Sequence, residues 1–150
     1  MTNTQIQNQH LPQEEHRPEA REPEPDTLDL AKWALEAALD KKALEPVLLD
    51  VKDLCSYTEY ILLVSGRSDR QVDAIADAVS LKMRQRGKKP LGVEGTRSGH
   101  WALLDFGDLV VHVFHHPVRS HYDLESLWID APRVDIDVPA DARVSAEDQY

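Results

Sequence analysis

Residues 101–116, WALLDFGDLVVHVFHH, gather the side chains of this sequence best able to do chemistry: one Trp, two Asp and three His among Leu and Val. Paired carboxylates could hold a divalent cation for nucleotidyl or phosphoryl transfer, and imidazoles could ligate zinc. The spacing argues against both. Carboxylates on a strand converge at i and i+2, whereas Asp105 and Asp108 are at i and i+3. Asp108 also falls in a turn, where Asp is common for local hydrogen-bonding reasons. H-x-x-H-H fits no zinc-ligand spacing of defined geometry, and on a strand His112 and His115 point to opposite faces. His100, His116 and His121 add imidazoles without completing a ligand set. No nucleophile elbow accompanies the Ser, His and Asp residues. SGRSDRQ, 65–71, could seat an anion at a helix N-terminus, but it lacks the spacing of a Walker or dinucleotide loop, and capping by Ser68 accounts for it. No catalytic residue, metal ligand or cofactor is assigned, and a metal-dependent nucleotidyltransferase-like enzyme is kept as the alternative function.

The elements that must position these side chains follow from periodicity. DTLDLAKWALEAALDKKA predicts a first helix capped by Asp26 or Thr27, with Leu28, Ala31, Leu35 and Ala38 at helical spacing and an end before Pro46. PVLLDV and YILLVSG are short apolar runs of strand character, joined by KDLCSYTE. A second helix opens on an S-x-x-Q capping box at Ser68 and Gln71. Its apolar stripe is Val72, Ile75, Ala76, Val79 and Met83, and Gly87 closes it. PLGVEG is a short third strand. TRSGH then loops into WALLDF and LVVHVF, a hairpin turning at Gly107-Asp108. HPVRSHYDLESLW predicts a last helix with Pro117 in its first turn. The expected fold is α/β, a mixed sheet of about five strands in the order α-β-β-α-β-β-β-α.

A two-residue turn at Gly107-Asp108 fixes the hairpin register: Trp101 opposite Phe114, Leu103 opposite His112, Asp105 opposite Val110 and Phe106 opposite Leu109. One face then carries Ala102, Leu104, Phe106, Leu109, Val111 and Val113, all apolar and expected in the core. The other carries Trp101, Leu103, Asp105, Val110, His112 and Phe114, with Asp105 and His112 set diagonally so that they could share a hydrogen bond. Left open, that face would expose a continuous apolar patch around a carboxylate and an imidazole, the composition of a contact site. The alternative is that a helix of the same chain covers it.

Composition sets the wider limits. At 150 residues the chain suits one domain. Residues 1–26 are rich in Gln, Glu and Pro, so the sequence predicts a disordered acidic extension. The folded domain is expected over 27–132 and an acidic tail over 133–150. Of the net charge of −10, most belongs to the ends: residues 1–27 and 129–150 hold 4 Lys and Arg against 12 Asp and Glu, residues 28–128 hold 13 against 15. A near-neutral domain points to little direct nucleic-acid binding, with RQRGKK at 84–89 read as a solvated helix end. Cys55 is the single cysteine, excluding an internal disulfide or a cysteine zinc cluster, and is expected to be buried and inert. No stretch reaches the length of a membrane span and no targeting segment is evident, so the expected location is cytoplasmic.

SGRSDRQVDAIAD, PLGVEG, WALLDFGDLVVHVFHHPVRSHYDLESLW and the closing DAP together resemble the Iojap-like ribosomal silencing factors, from about Leu28 to Pro132. The order G-V-E-G, W-x-x-x-D-x-G-D-x-V-V-H-V-F, Y-D-L-E-x-L-W carries the resemblance. It implies a nucleotidyltransferase-like fold without that superfamily's catalytic carboxylates, a homodimer, and no reaction. It also implies binding to the fourteenth protein of the large ribosomal subunit, which blocks subunit joining and represses translation. Carried onto this chain, the resemblance puts Trp101, Leu103 and Asp105 on the partner surface, Gly95, Arg97 and His100 in the loop leading in, and His112 as a secondary candidate for the same surface. The long acidic N-terminus departs from the family's shorter members.

Overall fold

The computed structural model describes residues 26–95 and 100–144; Arg97 and nearly all of the predicted N-terminal extension lie outside the described residues. Helix α1 spans Thr27–Asp40, started by Asp26, whose carboxylate accepts from the Asp29 N–H at 3.0 Å. Strand β1 is Leu44–Asp50 and β2 is Tyr60–Gly66. β1 begins two residues earlier than its sequence predicts because Pro46, which cannot donate to a ladder, is absorbed in a bulge between Leu44 and Val47, where Glu45 has φ 46°. Helix α2 is Asp69–Gln85. Ser68 Oγ accepts from the Gln71 N–H at 3.1 Å. The Gln71 amide accepts from the Arg67 N–H at 2.5 Å and donates to the carbonyls of Lys41 and Lys42 at 3.1 Å, tying the start of α2 to the end of α1. The five stripe residues of α2 are all buried, and Gly87 turns the chain at φ 84°.

Strand β3 is Gly92–Glu94, β4 is Trp101–Asp105 and β5 is Leu109–His115. The sheet order is β1-β2-β5-β4-β3; β2 and β5 run parallel and every other neighbour pair is antiparallel. The β4–β5 register is the one read from the sequence, with Trp101 on Phe114, Leu103 on His112, Asp105 on Val110, and the Phe106 N–H bonded to the Leu109 carbonyl at 2.8 Å. The all-apolar hairpin face packs with α1 and α2 in the main core, where β2 contributes Leu62 and Val64. Burying these side chains supplies most of the folding drive, about 1.5–3 kcal/mol for each large aliphatic residue.

The last helix is broken in two. Helix α3, His116–Tyr122, and α4, Leu124–Leu127, meet at Asp123, which sits in the left-handed region at φ 49°. Continuous helix is impossible through that conformation. Both pieces lie over the second face of the sheet, where Val118, Leu124 and Trp128 pack on Leu49, Val51, Ile61, Leu63 and Phe114. Residues 131–136, placed by the sequence reading at the junction of domain and tail, run along β1. The Asp50 N–H bonds to the Pro132 carbonyl at 2.9 Å and the Val134 N–H to the Leu48 carbonyl at 2.8 Å, while Val134 and Ile136 pack on the main core. Alternate apolar residues in VDIDV give this segment strand-like pairing that its acidic composition hides. At the end of α2, Arg86 stacks 4.4 Å from the centroid of Trp33 and Lys82 pairs with Glu36 at 3.0 Å, so part of the basic run is engaged with α1. No helix among the described residues is long and apolar enough to cross a membrane.

Candidate partner-binding surface

The mixed face of the hairpin is covered along β5 and partly open along β4. α3 seals Phe114 completely, and Val110 and His112 are each only 7% exposed. Trp101, Leu103 and Asp105, along β4, are half-buried. The difference is one of position in the sheet. β5 is central, flanked by β2 and β4, whereas beyond β4 there is only the three-residue β3, which offers Gly92 and Glu94 on this side.

Trp101 is the hub. Its ring lies 4.9 Å from Phe114, 4.7 Å from Tyr122 of α3 and 5.8 Å from His112, centroid to centroid. Its indole Nε1–H donates to His112 Nδ1 at 3.0 Å. An indole nitrogen can only donate, so Nδ1 must be the lone-pair nitrogen and His112 must be neutral, with its proton on Nε2. Burial drives His112 the same way, lowering its pKa from 6.5 to about 4. The expected Asp105–His112 hydrogen bond is not formed: Trp101 takes the imidazole, and Asp105 Oδ1 accepts from the Gly107 N–H at 2.8 Å, bracing the hairpin turn. Asp108 sits exposed in that turn, its carbonyl receiving the Glu59 and Tyr60 N–H groups.

Gly95 turns the chain out of β3 at φ 77°, and a Cβ there would stand 2.1 Å from the Trp101 carbonyl oxygen. No other residue fits without displacing the start of β4. Tyr57, in the β1–β2 connection, was not singled out by the sequence. It is 70% exposed, and its phenol is made less acidic first by partial burial, then by the nearby Cys55 thiol and by Asp105. Cys55 itself is half-buried rather than buried, packed on the edge of the second-face cluster.

His100 does not join the Trp101 face. The His115 N–H bonds to the His100 carbonyl at 2.8 Å, extending the β4–β5 ladder by one pair, and parity sends both side chains toward α2. There Asp69, the first residue of α2, places Oδ1 3.3 Å from Nδ1 of each imidazole. Carrying the hairpin register one residue past Trp101 and Phe114 would have found the His pair; nothing local marks Asp69 as their neighbour.

The surface built by β4, Tyr57 and Tyr122 is aromatic and apolar with acidic groups at Glu94 and Asp105. The chain as a whole is similar to known proteins. A family model described as "Ribosomal silencing factor during starvation" matches residues 24–150. The ribosomal silencing factor of Bacillus subtilis is 41% identical over 108 residues, covering 72% of this chain and 92% of that protein. That of Chromobacterium violaceum is 41% identical over 100 residues, 67% and 82% respectively. The chloroplastic Iojap protein of Zea mays is 34% identical over 112 residues, 73% of this chain and 47% of its own length. A crystal structure of a Chromobacterium violaceum protein superposes with a TM-score of 0.69 at 37% identity, covering 77% of this chain and 96% of that one. The matched region takes in both helices, all five strands and the broken helix behind Trp101, and the chain belongs to the ribosomal silencing factor family.

Proposed function

We propose that this protein represses translation by docking, through the Trp101 face, on the fourteenth protein of the large ribosomal subunit, so that the small subunit cannot approach. The mechanism is steric and asks for no turnover. The observation that carries it is the half-buried row Trp101, Leu103, Asp105, apolar and aromatic with a carboxylate at its end, on the outer side of a strand that the chain's own helices leave partly uncovered. Trp101 is held in one orientation by His112, Phe114 and Tyr122, so little side-chain entropy is lost when a partner covers it. Asp105 and Glu94 give the surface the sign that suits a basic ribosomal protein. Gly95 shapes the entry to β4 and His112 acts from behind by orienting the indole, while His100, turned toward α2, takes no part in the contact. The protein acts as a cytoplasmic homodimer in this reading, with exposed Leu127 and Ile129 near the end of α4 available for a second contact.

Co-sedimentation with isolated large subunits tests the docking. Trp101→Ala is expected to weaken binding about 30-fold or more, the loss typical of a dominant interface residue. Because Trp101 also packs against its own chain, Leu103→Arg is the companion variant: it places a cation against a basic partner without opening the core. Retention of both variants on large subunits, with far-ultraviolet circular dichroism showing a native fold, would overturn the assignment of this face.

A further inference from the structure

Asp69, His100 and His115 come from three separate elements, the first turn of α2, the residue preceding β4 and the last residue of β5. One ligand atom of each lies within 4.8 Å of the others. Two of the three separations, Asp69 Oδ1 to each Nδ1, are 3.3 Å. That is long for an N–H···O hydrogen bond, whose usual range is about 2.7–3.2 Å. It falls at the short end of a tetrahedron's edge: metal–nitrogen and metal–oxygen bonds of about 2.0–2.2 Å at tetrahedral angles set neighbouring ligand atoms about 3.3–3.6 Å apart. The imidazoles are held for this by the backbone, as the final cross-strand pair of the β4–β5 ladder, with rings nearly parallel at 17° and centroids 6.4 Å apart. The cluster also lies at the carboxyl ends of the parallel strands β2 and β5, where α/β sheets open a crevice for ligands.

We propose that Asp69, His100 and His115 form a binding site for a divalent transition-metal ion of the zinc type, with two imidazoles and one carboxylate from the protein and water in the fourth position. The two imidazoles are borderline nitrogen donors that favour such an ion over calcium or magnesium, which take oxygen ligands. His100 is the more exposed imidazole of the two, at 60% against 28% for His115. Binding would pin the residue before Trp101 to the start of α2. The proposal does not depend on the docking reading, since the site faces α2 and not the Trp101 surface.

The test is titration of chelator-treated, full-length protein with Zn²⁺ by calorimetry, together with the visible absorption of Co²⁺ in the same site. The expected result is one ion per chain and a tetrahedral Co²⁺ spectrum. Affinity should fall at least about 10–100-fold in His115→Ala and in Asp69→Asn, the range lost when even outer-shell partners of a metal are removed. His121→Ala, an exposed His outside the cluster, should bind as the parent does. Zn²⁺ should also raise the thermal midpoint of the parent and not of the two ligand variants. Substoichiometric binding by the parent, or undiminished binding in both folded variants, would overturn the site; the second result would place the ion on other residues.

Discussion

Lowering the pH from 7 toward 4 should remove about 3 kcal/mol of folding stability through His112 alone. In the unfolded chain this imidazole takes up its proton near pH 6.5; in the fold burial holds its pKa at about 4. Between those values the unfolded state binds the proton and the native state does not, so stability is full above pH 6.5 and drains away as pH falls to about 4. The structural reason is specific. Protonation would put an N–H on Nδ1 facing the Trp101 Nε1–H, two donors 3.0 Å apart, on a residue only 7% exposed. Carboxylates titrate across the same range, so the measurement is a comparison. Urea unfolding of the parent and of His112→Gln, at intervals from pH 7 to pH 4, should show a steep loss for the parent and a shallower one for the variant, whose amide oxygen still accepts from the indole. Equal slopes would show that His112 is not held neutral by the fold. The same change loosens the indole that the proposed docking surface uses, so large-subunit binding should weaken in parallel with stability.

Arg119→Ala should cost about 3 kcal/mol, the low end for removing one member of a buried ion pair. Arg119 is 6% exposed, and every nitrogen of its guanidinium is used. Nε and Nη2 donate to the two carboxylate oxygens of Glu125 at 3.1 and 3.3 Å, and Nη1 donates to the Glu45 carbonyl at 2.7 Å and to Ser65 Oγ at 3.0 Å. One side chain thus joins α3, α4, the bulge of β1 and the end of β2. Alanine would leave Glu125 with Arg133, 3.6 Å away at the surface, and leave the half-buried Glu45 carbonyl and the buried Ser65 hydroxyl without their donor. Lysine should recover little, because an ammonium cannot present the two-pronged contact to the carboxylate. Equilibrium urea denaturation of the two variants reads the effect; a change below about 1 kcal/mol in Arg119→Ala would mean that the network behaves as a surface ion pair.

Much of the domain could be read from local pattern. The stripe of α2 and the hairpin register were legible because each is fixed by short-range geometry: the helical repeat in one case, a two-residue turn in the other. The register alone divided WALLDF and LVVHVF into a core face and a mixed face, as observed. What failed to show was the competition among polar groups. Asp105 and His112 are diagonal neighbours, but the Gly107 N–H and the Trp101 indole are better placed partners, and such preferences depend on distances that no spacing rule supplies. Arg119 stands in HPVRSHYD like any solvated helix residue; its burial follows from the left-handed break at Asp123, which brings Glu125 round to face it. Asp69 and the two His residues meet only through the crossover from β2 to β5. The covering of the mixed face, left open by the sequence, is split in the structure: sealed at Phe114 and His112, half-open at Trp101, Leu103 and Asp105.

The residues that run beside β1 also govern how this sheet ends. A strand with its peptide groups open invites another chain to add on, and the two rims here answer that hazard differently. At one rim β3 is three residues long, too brief a template for stable addition. At the other, seven-residue β1 is occupied by Pro132, Arg133 and Val134. Shortening the protein to end at Ala131 would bare that rim, and concentration-dependent self-association into strand-paired aggregates is the expected price.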